Sequence, residues 1–276
     1  MRKGFTLLEL VFVIVVMGIM AKFGVELLYK TYENYISSNT FNRLENESEM
    51  TVKQIANRLQ YRIKDSTIAR TAVGGTAVPI GSISGNEKVL EWIGIDIDGW
   101  RSSGAPLWSG FVDLRASTAG QLFSPGGGAA GSGALFFIGS DVDLTSNFGW
   151  GGGAIGDQSA SMHPVSITAG TVGGQDGSII TPVGGDFSDA AGGVYEFYQF
   201  SKTAYAVSLE GSDLVLYSGY QPWNGEGMAN GRVLMENVKS FQFASVGDTI
   251  IVQVCLTDNN AAGLGEYSLC KEKVVF

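Results

Sequence analysis

Few side chains in this 276-residue chain could do nucleophilic, acid–base or metal chemistry. The chain has one histidine, His163, and two cysteines, Cys255 and Cys270. A zinc site needs about four nitrogen, sulfur or oxygen ligands, and the sequence places no such set around His163. Residues 96–99, Asp-Ile-Asp-Gly, resemble the start of an EF-hand loop but lack its later glycine and glutamate. We therefore predict neither a zinc site nor an EF-hand. A calcium-binding loop of another design is the alternative.

Motifs for cofactor and substrate chemistry are also lacking. Residues 151–156 fit the pattern G-x-G-x-x-G, but no apolar helical period follows them, as a dinucleotide site requires. The chain has neither a P-loop lysine motif nor a G-x-S-x-G nucleophile motif. We therefore expect no cofactor, no catalytic residue and no enzyme activity.

The charge balance argues against a further class of function. The 27 acidic residues outnumber the 18 basic residues, which gives a net charge of −9. A protein that neutralises many phosphates usually carries a basic excess, so bulk nucleic-acid binding is not expected. With 45% hydrophobic residues, the chain can bury the core of one or two folded domains.

The chain begins with a short basic head that precedes an apolar segment. Residues 5–21 contain one charged side chain, Glu9. This segment is long enough to span a hydrocarbon core with flanking residues, and the basic head favours a cytoplasmic N-terminus. No small-residue cleavage site of a secretory signal peptide follows Ala21. Because a carboxylate inside a membrane span is costly unless it is paired, Glu9 is expected to have a partner or a function.

The start of the apolar segment resembles the class III signal of type IV prepilins and type II secretion pseudopilins. The resemblance rests on the sequence Arg-Lys-Gly-Phe-Thr-Leu-Leu-Glu at residues 2–9. It implies that a membrane-embedded prepilin peptidase cleaves after Gly4 and methylates the new N-terminal Phe5. It also implies that Glu9 pairs with the amino terminus of an adjacent subunit during assembly. The alternative is a plain membrane anchor.

A long helix is predicted to position these residues. Proline is absent from residues 23–66, and apolar residues recur at spacings of three and four from Val52 to Ile63. We therefore predict one helix over residues 5–66, which spans the membrane at about residues 5–25.

The rest of the chain divides into a leader and an exported body. Residues 1–4 form the predicted leader peptide, and residues 67–276 form a periplasmic or extracellular β-rich domain. The predicted fold is α+β and pilin-like, with the long N-terminal helix packed on an antiparallel β-sheet. A glycine-rich insertion is expected in the sheet domain.

Apolar runs separated by turn residues predict the strands of the body. Residues 204–209 and 214–217 are two such runs, and the Glu-Gly-Ser-Asp sequence between them has the composition of a hairpin loop. Residues 234–241 contain the pattern Leu-x-Glu-Asn-Val-x-x-Phe. This pattern resembles the C-terminal half of J-type minor pseudopilins and W-type minor pilins.

The glycine-rich region covers residues 118–193. It holds 20 of the 39 glycines and no lysine or arginine. We expect long loops or an irregular insertion with a few short strands, because so many glycines leave few side chains to pack. The region is either a variable surface that contacts a substrate, a partner or the environment, or a glycine-rich excursion of the chain with no such role.

Cys255 and Cys270 enclose 14 residues near the end of the sequence. In an exported domain, two cysteines at this spacing predict a disulfide, and many type IV pilins have a similar one. A pair of free thiols is the alternative.

The resemblances imply a minor pilin or pseudopilin that helps to initiate or cap a type IV pilus or type II secretion pseudopilus. The implied partners are prepilin peptidase, other pilins or pseudopilins, membrane lipid, and an inner-membrane assembly platform with its ATPase complex. The chain would first lie in the inner membrane as a single-pass protein and then in the filament. A major shaft subunit and a membrane-anchored adhesin or binding module are the alternatives.

Overall fold

The chain folds into one long helix followed by antiparallel strands. A computed structural model describes residues 6–138, 162–187, 194–258 and 267–276. The helix, α1, covers Leu7–Leu59 and carries the apolar N-terminal segment. The strands after it pair antiparallel in three sheets. This arrangement confirms the predicted α+β fold, although we expected one sheet.

Helix α1 is shorter at its C-terminal end than predicted. It ends at Leu59 instead of residue 66. Beyond its end, the Ile63 N–H donates a hydrogen bond to the Ile93 carbonyl over 2.9 Å. Pairing with a neighbouring strand therefore replaces helical hydrogen bonds, and Ile63 reaches the core from an extended segment.

The second half of α1 packs on the body along one stripe. Its buried positions are spaced mainly by three and four residues, which places them on one side of the helix. The buried residues are Leu44, Ser48, Thr51, Val52, Ile55, Ala56 and Leu59.

The first sheet has six strands and shares a hydrophobic core with this stripe. Its strands are β1 (Ile68–Arg70), β2 (Ala77–Pro79), β3 (Val89–Gly94), β10 (Thr203–Glu210), β11 (Asp213–Tyr220) and β12 (Arg232–Met235). They are arranged in the order β12-β11-β10-β3-β1-β2. The predicted hairpin loop joins β10 to β11, and Gly211 in this loop has a φ of 66°, which glycine adopts readily.

The second sheet has three strands and contacts α1. Its strands are β13 (Val238–Val246), β14 (Thr249–Asp258) and β15 (Tyr267–Val275), with β14 in the centre. Cys255 lies directly opposite Cys270 in the β14–β15 pair, and a disulfide joins them. The predicted disulfide is therefore confirmed.

The third sheet is formed by the chain between β3 and β10. A short helix, α2 (Ile97–Trp100), precedes it. Its strands are β4 (Asp113–Thr118), β5 (Gln121–Pro125), β6 (Gly131–Phe137), β7 (His163–Val172), β8 (Gln175–Pro182) and β9 (Tyr198–Ser201). The order across the sheet is β4-β5-β8-β7-β6-β9.

The third sheet corrects our expectation for residues 118–193. Where the structure describes this region, it is mostly paired strand instead of long loop. The glycines allow this pairing because they let rings lie against the backbone: a Cβ atom on Gly133 would lie 2.5 Å from Cζ of Phe200. The G-x-G-x-x-G match at residues 151–156 lies outside the described residues.

Both faces of the first sheet are buried. On one face, Trp92 of β3 packs with α1 and the second sheet. On the other face, Ile93 and Ala206 pack with Phe136 of β6. Leu135, which precedes Phe136 in β6, faces a separate core within the third sheet. Alternate residues of β6 therefore connect two cores, and the three sheets form successive layers of one body.

Candidate anchoring and assembly site

Glu9 lies in the first turn of α1, where it forms a capping box with Thr6. Thr6 is the N-cap, and its hydroxyl accepts a hydrogen bond from the Glu9 N–H over 3.4 Å. The Glu9 Oε2 atom accepts hydrogen bonds from the Thr6 N–H (3.1 Å) and the Thr6 hydroxyl (3.0 Å). These bonds satisfy helix-start donors that would otherwise lack partners.

The capping box leaves part of the Glu9 carboxylate available. Both Thr6 donors bind Oε2, and Oε1 accepts no hydrogen bond from any residue that the structure describes. A carboxylate can accept bonds at both oxygens, so Oε1 can take a donor from another molecule. Glu9 therefore has a local partner that holds its position and a free oxygen for a second partner.

The first half of α1 carries an apolar surface that the chain itself does not cover. Leu7, Phe12 and Phe23 expose 82%, 67% and 67% of their surfaces. Within the described residues, α1 is the one helix that is long and apolar enough to cross a membrane. Apolar side chains exposed on every side of a helix are typical of a segment that lipid or other helices surround.

Polar and aromatic residues mark the end of this apolar surface. Glu26 and Lys30 form an ion pair with an N–O distance of 3.3 Å. Tyr29 and Tyr32 expose about 60% of their surfaces on the same stretch of α1. Tyrosines are enriched where a helix leaves the hydrocarbon for the headgroup layer. The apolar part of α1 therefore ends at about Leu28.

Ion pairs also link the second half of α1, which packs through its buried stripe, to the second sheet. The Lys271 ammonium on β15 lies 2.9 Å from Glu45 and 3.9 Å from Glu49, one helical turn further along. Side chains four residues apart share one side of a helix, so a single lysine can reach both. These contacts help to fix the rotation of α1 on the body.

The predicted site residues fall into separate parts of the molecule. Gly4 and Phe5, the predicted cleavage and methylation positions, lie outside the described residues. Glu9 stands at the start of α1, whereas the Cys255–Cys270 disulfide lies in the second sheet. The disulfide is therefore a structural feature of the body and not part of the anchoring site.

Sequence reasoning missed the role of Thr6. The signal was present, because threonine followed three residues later by glutamate at the start of an apolar run is a capping-box pattern. Asp96 and Asp98, considered above for calcium, do not meet a third His, Cys, Asp or Glu ligand among the described residues. The Asp96 carboxylate instead lies 3.3 Å from the Lys202 ammonium.

Comparison with known proteins identifies one similarity, and it covers this site. Residues 1–21 match the family model of the prokaryotic N-terminal methylation motif. No curated protein and no solved structure matches the chain. The motif is typical of structural and not catalytic proteins. Together with the exposed apolar helix, it indicates a membrane-anchored single-pass protein and supports a relationship to the type IV pilin-like family.

Proposed function

We propose that the chain is a minor pilin or pseudopilin that helps to initiate or cap a type IV pilus or a type II secretion pseudopilus. One combined observation carries this proposal. The methylation motif at residues 1–21 coincides with an uncovered apolar helix that holds Glu9 in its first turn. A helix of this kind can first lie in the inner membrane, where lipid surrounds it. During assembly it can leave the lipid and pack against the helices of other subunits.

Processing would create the partner that Glu9 needs. Prepilin peptidase would hydrolyse the peptide bond between Gly4 and Phe5, which leaves a carboxylate on Gly4 and an amine on Phe5. Loss of residues 1–4 removes Arg2 and Lys3, so the net charge changes from −9 to −11. A methylated amine still carries a positive charge at neutral pH. The free Oε1 atom of Glu9 would then pair with this amine on a neighbouring subunit, in a low-dielectric environment that strengthens the attraction.

The size of the body favours a minor subunit over a repeated shaft subunit. The third sheet adds a complete six-stranded layer between β3 and β10. A layer of this size at every position of a helical shaft would crowd the neighbouring subunits, whereas one copy at a tip has room. An assembly platform and its ATPase complex would supply the energy, since the sequence has no P-loop motif. A shaft subunit and an anchored adhesin remain the competing assignments.

Replacement of Glu9 by alanine tests the proposal. In cells that contain the assembly machinery, Glu9→Ala should be expressed, cleaved and retained in the membrane as well as the wild type. Its incorporation into filaments should fall about tenfold or more, because one desolvated charge pair is lost. Quantitative immunoblotting of sheared filaments and membranes measures both amounts.

The matched control is Glu26→Ala, which removes a carboxylate from the same helix at an ion pair with Lys30. This variant should assemble normally. Normal incorporation of Glu9→Ala, or an equal loss in both variants, would contradict the role proposed for Glu9.

A further inference from the structure

A polar pocket of about 360 Å³ opens where α1 ends. The segment after α1 runs beside β3, since the Ile95 N–H donates to the Tyr61 carbonyl over 2.8 Å. This pairing brings the last turn of α1, the start of α2 and the beginning of β10 around one opening. Its volume is at the small end of the range for ligand pockets, which suits one or two sugar rings.

Two tyrosines form aromatic walls of the pocket. Tyr205 stacks on Trp92, its neighbour across the β10–β3 pair, with ring centroids 5.9 Å apart and an angle of 25°. Gly94 lets this ring lie flat, because a Cβ atom there would be 2.5 Å from Cε2 of Tyr205. The second wall is Tyr61, whose ring lies 5.4 Å from the Arg101 guanidinium carbon. Both rings are therefore held in place before any ligand binds.

Some charged groups of the pocket have an ion-pair partner, and others do not. Lys202 and Asp96 neutralise each other at 3.3 Å, and the Asp96 side chain is 10% exposed. Arg58 donates to the Gln54 carbonyl over 3.0 Å. Neither Arg58 nor Arg101 forms an ion pair with a carboxylate in the part of the chain that the structure describes. The Arg101 guanidinium donates one hydrogen bond to the Tyr61 hydroxyl over 3.4 Å, and its other N–H groups, like those of Arg58, can bind a ligand.

The same pocket presents carboxylate oxygens beside these cations. Arg58, Asp96 and Asp98 line the same pocket as Tyr205. A ligand with several phosphates would be repelled by Asp98, which is exposed and has no ion-pair partner among the described residues. A cationic ligand would be repelled by Arg58, Arg101 and Lys202. A ligand with one anionic group and several hydroxyls satisfies every group.

We propose that this pocket binds an acidic sugar of the hexuronic acid type. The carboxylate of the sugar pairs with the fork of the Arg101 guanidinium, for which planar carboxylates are the matching shape. Its hydroxyls donate to Asp98 and accept from Arg58. The C–H face of the sugar ring packs on Tyr205. This binding role does not depend on the assembly role proposed above.

Calorimetric titration of the full-length protein in detergent micelles tests the proposal. The probes are glucuronate and galacturonate, with glucose as the neutral control. We expect a uronate to bind with a dissociation constant of about 1 mM or lower, and glucose to bind at least about tenfold more weakly for lack of the charge-assisted bonds. The absence of binding by both uronates at about 10 mM, or equal binding of glucose, would overturn the proposal.

Three variants locate the binding. Arg101→Gln and Tyr205→Ala should each weaken uronate binding about tenfold, and thermal unfolding followed by circular dichroism checks that both variants are folded. Arg232→Gln, which changes an exposed arginine on β12, should bind like the wild type. Unchanged binding by Arg101→Gln, or an equal loss in Arg232→Gln, would place the sugar elsewhere and overturn the proposal.

Discussion

His163, the single histidine, is buried in an aromatic environment. Its ring lies 5.3 Å from the ring of Phe137 and 5.7 Å from the ring of Phe187, by centroid distance. The Nε2 atom has no hydrogen-bond partner among the described residues. Burial lowers the pKa of His163 from 6.5 to about 4, because a charged imidazolium loses its hydration there. The residue therefore contributes to packing and is not suited to catalysis.

This burial predicts a specific acid sensitivity. The folded state keeps His163 neutral while the unfolded state protonates it below about pH 6.5, so the free energy of unfolding falls as the pH drops from 6.5 towards 4. The expected loss from this group is about 3 kcal/mol over that range. His163→Gln cannot titrate and should lose less stability by about that amount. Urea unfolding at several pH values measures the difference, and parallel pH profiles for the two proteins would contradict the prediction.

Single residues could be predicted from sequence where their partners are local or their type is rare. The importance of Glu9 is predictable because it is the one carboxylate in an apolar segment. The disulfide is predictable because the chain has two cysteines, which leaves one possible pairing within the chain. The buried Glu91 could not be interpreted in this way. Its partners, Arg70 at 2.7 Å and Tyr220 at 2.7 Å, are 21 and 129 residues away in the sequence. Only the pairing of strands brings them together.

At the scale of elements, Arg62 joins the end of α1 to the second sheet. It is 3% exposed, and its guanidinium donates to the carbonyls of Leu59 and Asp248. A third bond, of 3.5 Å, reaches the Phe276 carbonyl beside the end of β15. One side chain therefore connects carbonyls from three segments of the chain.

Arg62→Met should destabilise the body by about 2 kcal/mol, since three carbonyls lose the hydrogen bonds of a buried donor. The matched control is Lys64→Met, two residues later. Within the described part of the chain, that lysine side chain forms only an exposed ion pair with Asp248 at 3.3 Å, so its loss should cost less than about 1 kcal/mol. Urea unfolding gives both values. Equal effects of the two substitutions would show that Arg62 does not link the elements.

The disulfide is the second link between elements. It joins adjacent strands β14 and β15 at residues that are 15 apart in sequence. Closing a loop of this length should stabilise the fold by about 3 kcal/mol, mainly by restricting the unfolded chain. The double substitution Cys255→Ser with Cys270→Ser should lower the free energy of unfolding by about that amount. A loss in urea unfolding smaller than about 1 kcal/mol would contradict the entropic account.

Helices and strands are predictable where the sequence has clear turn residues or a regular spacing of apolar residues. The hairpin between β10 and β11 was predicted because Gly211 and its neighbours separate two apolar runs. The end of α1 was misplaced because the apolar spacing continues through Ile63, although the chain there is already extended beside β3. A periodic pattern of apolar residues shows which side of a segment is buried. It does not show whether the backbone N–H groups bond within a helix or to a neighbouring strand.

At the scale of the whole molecule, the layering of three sheets was not predictable from the glycine content. Glycine is usually read as a signal for loops, yet at Gly133 and Gly177 it makes room for aromatic rings between closely packed strands. Strand β3 has every residue buried, which indicates cover on both faces, but the sequence does not say which element provides it. The third sheet supplies that cover through Phe136.

The whole molecule thus combines an uncovered apolar helix with a layered, acidic body. The helix holds Glu9 at the end that carries the methylation motif. Processing at Gly4 is the step on which the proposed assembly depends, because it creates the amine that Glu9 would bind. The central claim is therefore best tested on the covalent structure of the mature N-terminus.

The most direct measurement is intact mass combined with N-terminal sequencing of the protein isolated from membranes that contain a prepilin peptidase. The proposed function predicts a chain that begins at an N-methylated Phe5. The same mass should be two protons lower than for the reduced chain, because Cys255 and Cys270 are joined. A chain that still begins at Met1, or that begins after Ala21, would contradict the claim and leave Glu9 without its proposed partner.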